Sequence, residues 1–191
     1  MGKTAWLVLK VSFLVASCAA RPEVQTPAAE ASASSPDAHP IPRVRPTDVR
    51  IAALVARAVE QSTSFRSLLD TINATDGIVY IEAGRCGPVR ACLALKVTVA
   101  GPNRLLWVFV NPERAACEVM ASIGHELWHA MEVLREPSIR SDGAMYFFIA
   151  KGREQNPPPW FETEAAIRVG QDVLSELRHH AKRSGKSCGQ T

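Results

Sequence analysis

Residues 125–129 read His-Glu-Leu-Trp-His, two histidines four positions apart with a glutamate directly after the first. On an α-helix, side chains four apart stand one turn above each other on the same face, so both imidazoles can share one metal ion. Glu126, one position round from His125, can reach a water at that ion without being a ligand, as a general base must. A zinc centre of this kind takes three protein ligands and leaves the fourth position to water. His125 and His129 supply two, and the third must come from elsewhere in the chain.

Three carboxylates compete for that place. Glu162 and Glu164 stand in Phe-Glu-Thr-Glu-Ala-Ala near the start of a C-terminal helical segment, where acidic residues also offset the positive helix N-terminus. Asp142 lies thirteen residues beyond His129 and close to Tyr146. A metzincin arrangement requires glycine at 132 and histidine at 135, and the chain has Glu132 and Arg135 there, which excludes that class.

His125, Glu126 and His129, with the Glu-x-x-Ala pattern from Glu162 to Ala165, make the chain resemble the gluzincin metallopeptidases over roughly residues 111–178. In membrane-bound CAAX-type and regulator-cleaving families of that group, the third ligand is the glutamate three residues before the alanine. That position is Glu162 here, with Glu164 in reserve. Those families commonly follow the alanine with Asp or Asn, and this chain has Ala166. The resemblance implies a minimal zincin-like domain, a Zn²⁺ cofactor and hydrolysis of a peptide or protein substrate, with Glu126 as the base. Tyr146, Arg168, His179 and His180 are the candidates to stabilise an oxyanion. Two other readings stand beside it. One is a non-catalytic cell-envelope binding or scaffold domain with a vestigial metal site, and the other is an envelope amidase acting on peptidoglycan peptides.

The elements that must position these groups follow from periodicity. Thr47 or Asp48 can cap a helix to about Glu60, with Ile51, Leu54, Val55, Ala58 and Val59 at three- and four-residue spacing. A second helix spans about Ser64 to Ile72. Ile78 to Glu82, Ala91 to Val99 and Leu105 to Val110 read as strands of a small antiparallel sheet. The last of them either accepts an extended peptide by β-augmentation or is an interior strand. Asn111 and Pro112 open a helix to about Arg135, whose stripe of Ala116, Val119, Met120, Ile123, Leu127, Ala130 and Leu134 lies opposite the two histidines. A final helix runs from about Pro159 to His180. The class is therefore α+β. Trp107, Trp128 and Trp160 pack in the core or shape the cleft. The basic stretch from Arg178 to Lys186 is either a solvated helix end or a contact for anionic lipid.

Residues 1–48 differ in composition. Lys3, the apolar run from Trp6 to Ala16 and the small residues after it have the order of a secretory signal. Lys10 breaks the run, which is too short to cross a bilayer. Val15-Ala16-Ser17-Cys18 resembles the bacterial lipobox, so an acylated Cys18 would anchor the protein to a membrane. Cleavage after Ala20 would instead release a secreted form. Residues 21–48, with six prolines up to Pro46, read as a linker, leaving 49–191 as one domain. The four cysteines beyond Cys18 fit an exported domain with two disulfides. The turn at Gly87-Pro88 favours Cys86 with Cys92, which leaves Cys117 with Cys188. A net charge of +3 is too small to predict a nucleic-acid partner.

Overall fold

The computed structural model describes residues 42–155, 161–185 and 187–188. The signal-like segment, Cys18, the linker up to residue 41, the prolines at 157–159, and Trp160 lie outside the described residues. Among the described residues there are five strands, β1 (Val44–Pro46), β2 (Gly77–Ala83), β3 (Ala91–Leu93), β4 (Thr98–Ala100) and β5 (Asn103–Val110). The helices are α1 (Val49–Gln61), α2 (Thr63–Asn73), α3 (Ala116–Leu134), α4 (Asp142–Gln155) and α5 (Glu164–Arg183).

Asp48 opens α1 by accepting from the backbone N–H groups of Arg50 and Ile51, donors that a helix start otherwise leaves unpaired. Ser62 serves two helices. Its backbone N–H closes α1 on the Ala58 carbonyl, and its hydroxyl accepts from Phe65 N at 3.0 Å to open α2. Glu176 of α5 accepts from the Ser62 hydroxyl at 2.6 Å and from both the N–H and hydroxyl of Ser64. The C-terminal helix is thereby fastened to the start of α2.

The fold is α+β, and its sheet is mixed rather than wholly antiparallel. The strand order is β1-β2-β5-β3, with β4 also on β5. β1 pairs parallel with β2 and β2 with β5, while β3 and β4 run antiparallel to β5. Parallel neighbours need long connections, supplied here by α1 and α2 in one case and by the β3–β4 excursion in the other. With partners on both edges, β5 is an interior strand and has no edge for an added peptide. The sheet also begins inside the stretch read as linker, because Val44 pairs with Val79 and Arg43 O accepts from Val79 N. Pro46 is tolerated there because β1 is an edge strand. The single strand expected from Ala91 to Val99 is broken in two, since Lys96 N turns back to Ala94 O and Asp142 takes Val97 N at 2.8 Å.

Both disulfides, Cys86–Cys92 and Cys117–Cys188, pair as the sequence suggests, and they are compatible with an oxidising compartment. The second bears on where α3 begins. Asn111 does not cap this helix; its side chain accepts from Glu113 N within a turn, and α3 starts five residues later at Ala116. In place of a side-chain cap, Cys117 N donates to the Cys188 carbonyl beside the disulfide. At the other end, the buried Arg104 of β5 donates to the carbonyls of Val133, Leu134, Glu136 and Ile139 and pairs with Asp76. A cation held at a helix C-terminus suits the negative end of the macrodipole.

No residue of α3 is exposed. Its burial extends beyond one stripe because β5 covers one side and α5 the other. Gly124 lets α5 approach, since a Cβ there would lie 3.2 Å from Val173 Cγ2. Trp107 sits on the opposite face of the sheet, half-buried and stacked on Tyr80, so it is neither in the core nor in the cleft. Among the described residues, no helix is long and apolar enough to cross a membrane.

Candidate metal centre

Residues of α3 left half-buried, among them Glu118, Ser122, His125 and Glu126, face a cavity of about 750 Å³ between α3, α5 and β3. Glu162 precedes α5 by two residues, and Thr163 caps that helix by accepting from Ala166 N at 3.1 Å. The cap fixes where the chain turns, and with it where the Glu162 carboxylate sits. His125, His129 and Glu162 each offer a ligand atom, and these lie within 4.8 Å of one another. His125 Nε2 and Glu162 Oε1 are 3.2 Å apart, close to the edge of roughly 3.3 Å between ligands of a tetrahedral zinc with bonds near 2 Å. The two imidazoles are nearly perpendicular, with centroids 4.8 Å apart. The three residues could therefore hold a metal ion.

The other two candidates are not in this group. Glu164 is exposed in the first turn of α5. Asp142 starts α4 and spends its carboxylate on Val97 N. None of Tyr146, Arg168, His179 and His180 lines the cavity. His180 instead lies in the last turn of α5 with Lys182 and Arg183, where positive charge suits the helix end.

Sequence reasoning missed Glu132. His129 is 3% exposed, and its Nδ1 lies 2.8 Å from Glu132 Oε2. The other Glu132 oxygen accepts from Trp128 Nε1 at 2.9 Å and Thr163 Oγ1 at 2.8 Å. One carboxylate thus orients His129, fixes the neighbouring tryptophan and reaches the cap of the helix that follows Glu162. This is the part commonly given to an outer carboxylate beside a metal-bound imidazole. It comes here from the position that ruled out a metzincin. The sequence signal was an i,i+3 pair on a helix. Phe161 covers the other side, its ring centroid 5.0 Å from that of His129.

With Nδ1 engaged, His129 Nε2 is left buried and without a hydrogen-bond partner among the described residues. Such an atom costs free energy unless a ligand satisfies it. The hydrogen bond from His125 holds the Glu162 carboxyl below its usual range, keeping it ionised. Burial tends to raise the Glu132 pKa, and its bonds to His129, Thr163 and Trp128 outweigh that and lower it. Glu126 differs. Burial pushes its pKa up against the pull of the two histidines, and its Oε2 accepts from Leu93 N of β3 at 2.8 Å.

Replacing Glu132 by Ala should weaken metal binding about 10–100-fold while the three ligands remain in the chain. Competition with a calibrated chelator would measure this, and unchanged affinity would remove Glu132 from the account.

No protein-family model, curated protein or solved structure matches this chain. The functional reading therefore rests on the geometry of the site.

Proposed function

We propose that the chain is an exported zinc metallopeptidase of gluzincin type. His125, His129 and Glu162 would hold the ion, and Glu126 would act as general base. The observation that carries this reading is the buried, unpartnered Nε2 of His129, its ring oriented by Glu132, beside His125 and Glu162. A donor set of two imidazoles and one carboxylate suits zinc with an open fourth position. When bound, zinc supplies a Lewis acid that polarises a carbonyl and acidifies water. The protein's own part is positional. Glu126 takes a proton from water in the cleft and returns it to the leaving amine, its carboxylate held in the cavity by the Leu93 N–H.

The backbone of β3 forms the cleft's third wall. Arg90 O accepts from Asn111 N and Ala94 N donates to Trp107 O, so even-numbered residues face β5, and the outward groups left beside the Leu93 N–H taken by Glu126 are the Ala91 N–H and carbonyl and the Leu93 carbonyl. An extended peptide is the substrate shape that uses such an edge. Export is supported by the two disulfides and the signal-like N-terminus, with Cys18 as the lipid anchor.

Hydrolysis of a mixed peptide pool, followed by mass spectrometry, tests the proposal. Cleavage should disappear on chelation and return with one equivalent of zinc. A zinc-loaded protein that cuts no peptide would contradict the reading.

A further inference from the structure

Two cavities meet at the Pro88–Arg90 rim. One is the cleft that holds the metal cluster; the other, of about 430 Å³, is polar and lined by Arg85, Arg90, Arg114, Asn111 and Glu113. Arg90 stands at the junction. Its Nη2 lies 3.5 Å from Glu118 Oε2, and the side chain remains 56% exposed. A single contact at that distance leaves most of the five guanidinium donors available. Arg85 makes only a 4.0 Å contact with Glu113, and both side chains are largely exposed.

Two independent rulers fix the distance from this point to the metal cluster. Along α3, the seven residues from Glu118 to His125 span about 10 Å at 1.5 Å each. Along β3, the three residues from Arg90 to Leu93 also span about 10 Å. The two paths are tied at both ends, by Arg90–Glu118 and by Leu93 N–Glu126. An extended peptide lying on the outer edge of β3 would cover that distance in about three residues.

Direction follows from strand pairing and from charge. Antiparallel addition, the more favourable pairing, carries the peptide from the cluster toward Arg90 with its C-terminal side leading. Guanidinium groups at the far end repel a free amine and bind a carboxylate, frequently in bidentate fashion. We propose that Arg90, supported by Arg85 and Arg114, forms a carboxylate-binding subsite two or three residues beyond the scissile bond on its C-terminal side. The enzyme would thereby be directed to peptides bearing an anionic group at that position. The carboxylate has two sources, the chain's own C-terminus or an Asp or Glu side chain. This inference rests on the peptidase reading above and goes beyond it by naming the substrate class.

The test uses three pools of peptides on the zinc-loaded protein, one with free C-terminal carboxylates, one C-amidated, and one C-amidated with Asp or Glu at varied internal positions. Wild-type protein should cut the first pool two or three residues from the end if the terminus is read, or the third pool two or three residues before the acid if the side chain is read. Arg90→Gln should lower kcat/KM for the preferred pool about two- to fivefold more than for the neutral amidated pool, with zinc content intact. Arg90→Glu should disfavour carboxylates further and shift cleavage toward basic residues at that position. Equal cleavage of all pools by wild type, or an equal loss across pools in Arg90→Gln, would overturn the subsite while the peptidase reading stands. No cleavage of any pool would overturn both.

Discussion

Glu126→Gln should lower peptide turnover by about 10²–10⁴-fold, the usual contribution of a positioned general base, and leave the metal in place. The side chain is not one of the three residues that could hold a metal ion. It lies in the same cavity, with Oε2 fixed by Leu93 N at 2.8 Å. Glutamine keeps the shape and an oxygen able to accept from that N–H, so the fold and the edge strand should be undisturbed. What is lost is the capacity to take a proton. Parallel measurement of kcat and zinc content on wild type and variant decides the matter. Activity within a few-fold of wild type would remove Glu126 from the chemistry, and simultaneous loss of zinc would show that its role is structural.

The second large effect lies at the far end of the same helix. Arg104→Met should destabilise the protein by about 3–5 kcal/mol, because it strips donors from several buried carbonyls at once, each such loss costing about 1–3 kcal/mol. Arg104 is 2% exposed, and its guanidinium bonds Asp76 and the carbonyls of Val133, Leu134, Glu136 and Ile139. Methionine fills much of the volume and supplies none of the donors, which leaves those carbonyls short of partners and Asp76 without its principal cation. Lysine should rescue little, because one ammonium with three donors cannot reproduce the planar fork. The pH dependence carries a signature. The hydrogen bond from Arg104 holds the Asp76 carboxyl below its ordinary value, so this carboxylate adds stability above the unfolded-state pKa and loses it as pH falls through the lowered folded value. That acid-side loss should be present in wild type and diminished in Arg104→Met. Urea unfolding with disulfides intact, repeated across acidic pH, measures both effects. A change below about 1 kcal/mol, the level of an exposed ion pair, would mean that Arg104 does not hold the end of α3.

What could be read before the structure was what depends on neighbours in sequence. The apolar spacing of α1, its Asp48 cap and the His-Glu-x-x-His pattern are local features, and the structure places α1 and both histidines accordingly. The Gly87-Pro88 turn favoured Cys86 with Cys92 among three possible pairings, and that bond is present. The Glu-x-x-Ala resemblance pointed to Glu162 with Glu164 in reserve, and Glu162 is the one beside the histidines because Thr163 caps α5 directly after it. Contacts made across the fold were illegible. Asn111 and Pro112 look like a helix start, yet the first turn of α3 is completed by Cys188, 71 residues further on. No pattern announced α4, because its apolar residues have no helical period and two of them, Tyr146 and Phe147, are largely exposed. Arg104 and Glu132 read as ordinary charges on a strand and a helix. Their importance comes from the ends and ligands that the fold brings to them.

The proposed chemistry depends on an ion held by His125, His129 and Glu162, and metal analysis of the purified protein is the decisive experiment. Wild type and Glu126→Gln should each carry about one zinc per chain, and His129→Ala and Glu162→Ala should each lose it while remaining folded. Wild-type protein without stoichiometric zinc after reconstitution, or zinc retained in both ligand variants, would contradict the account.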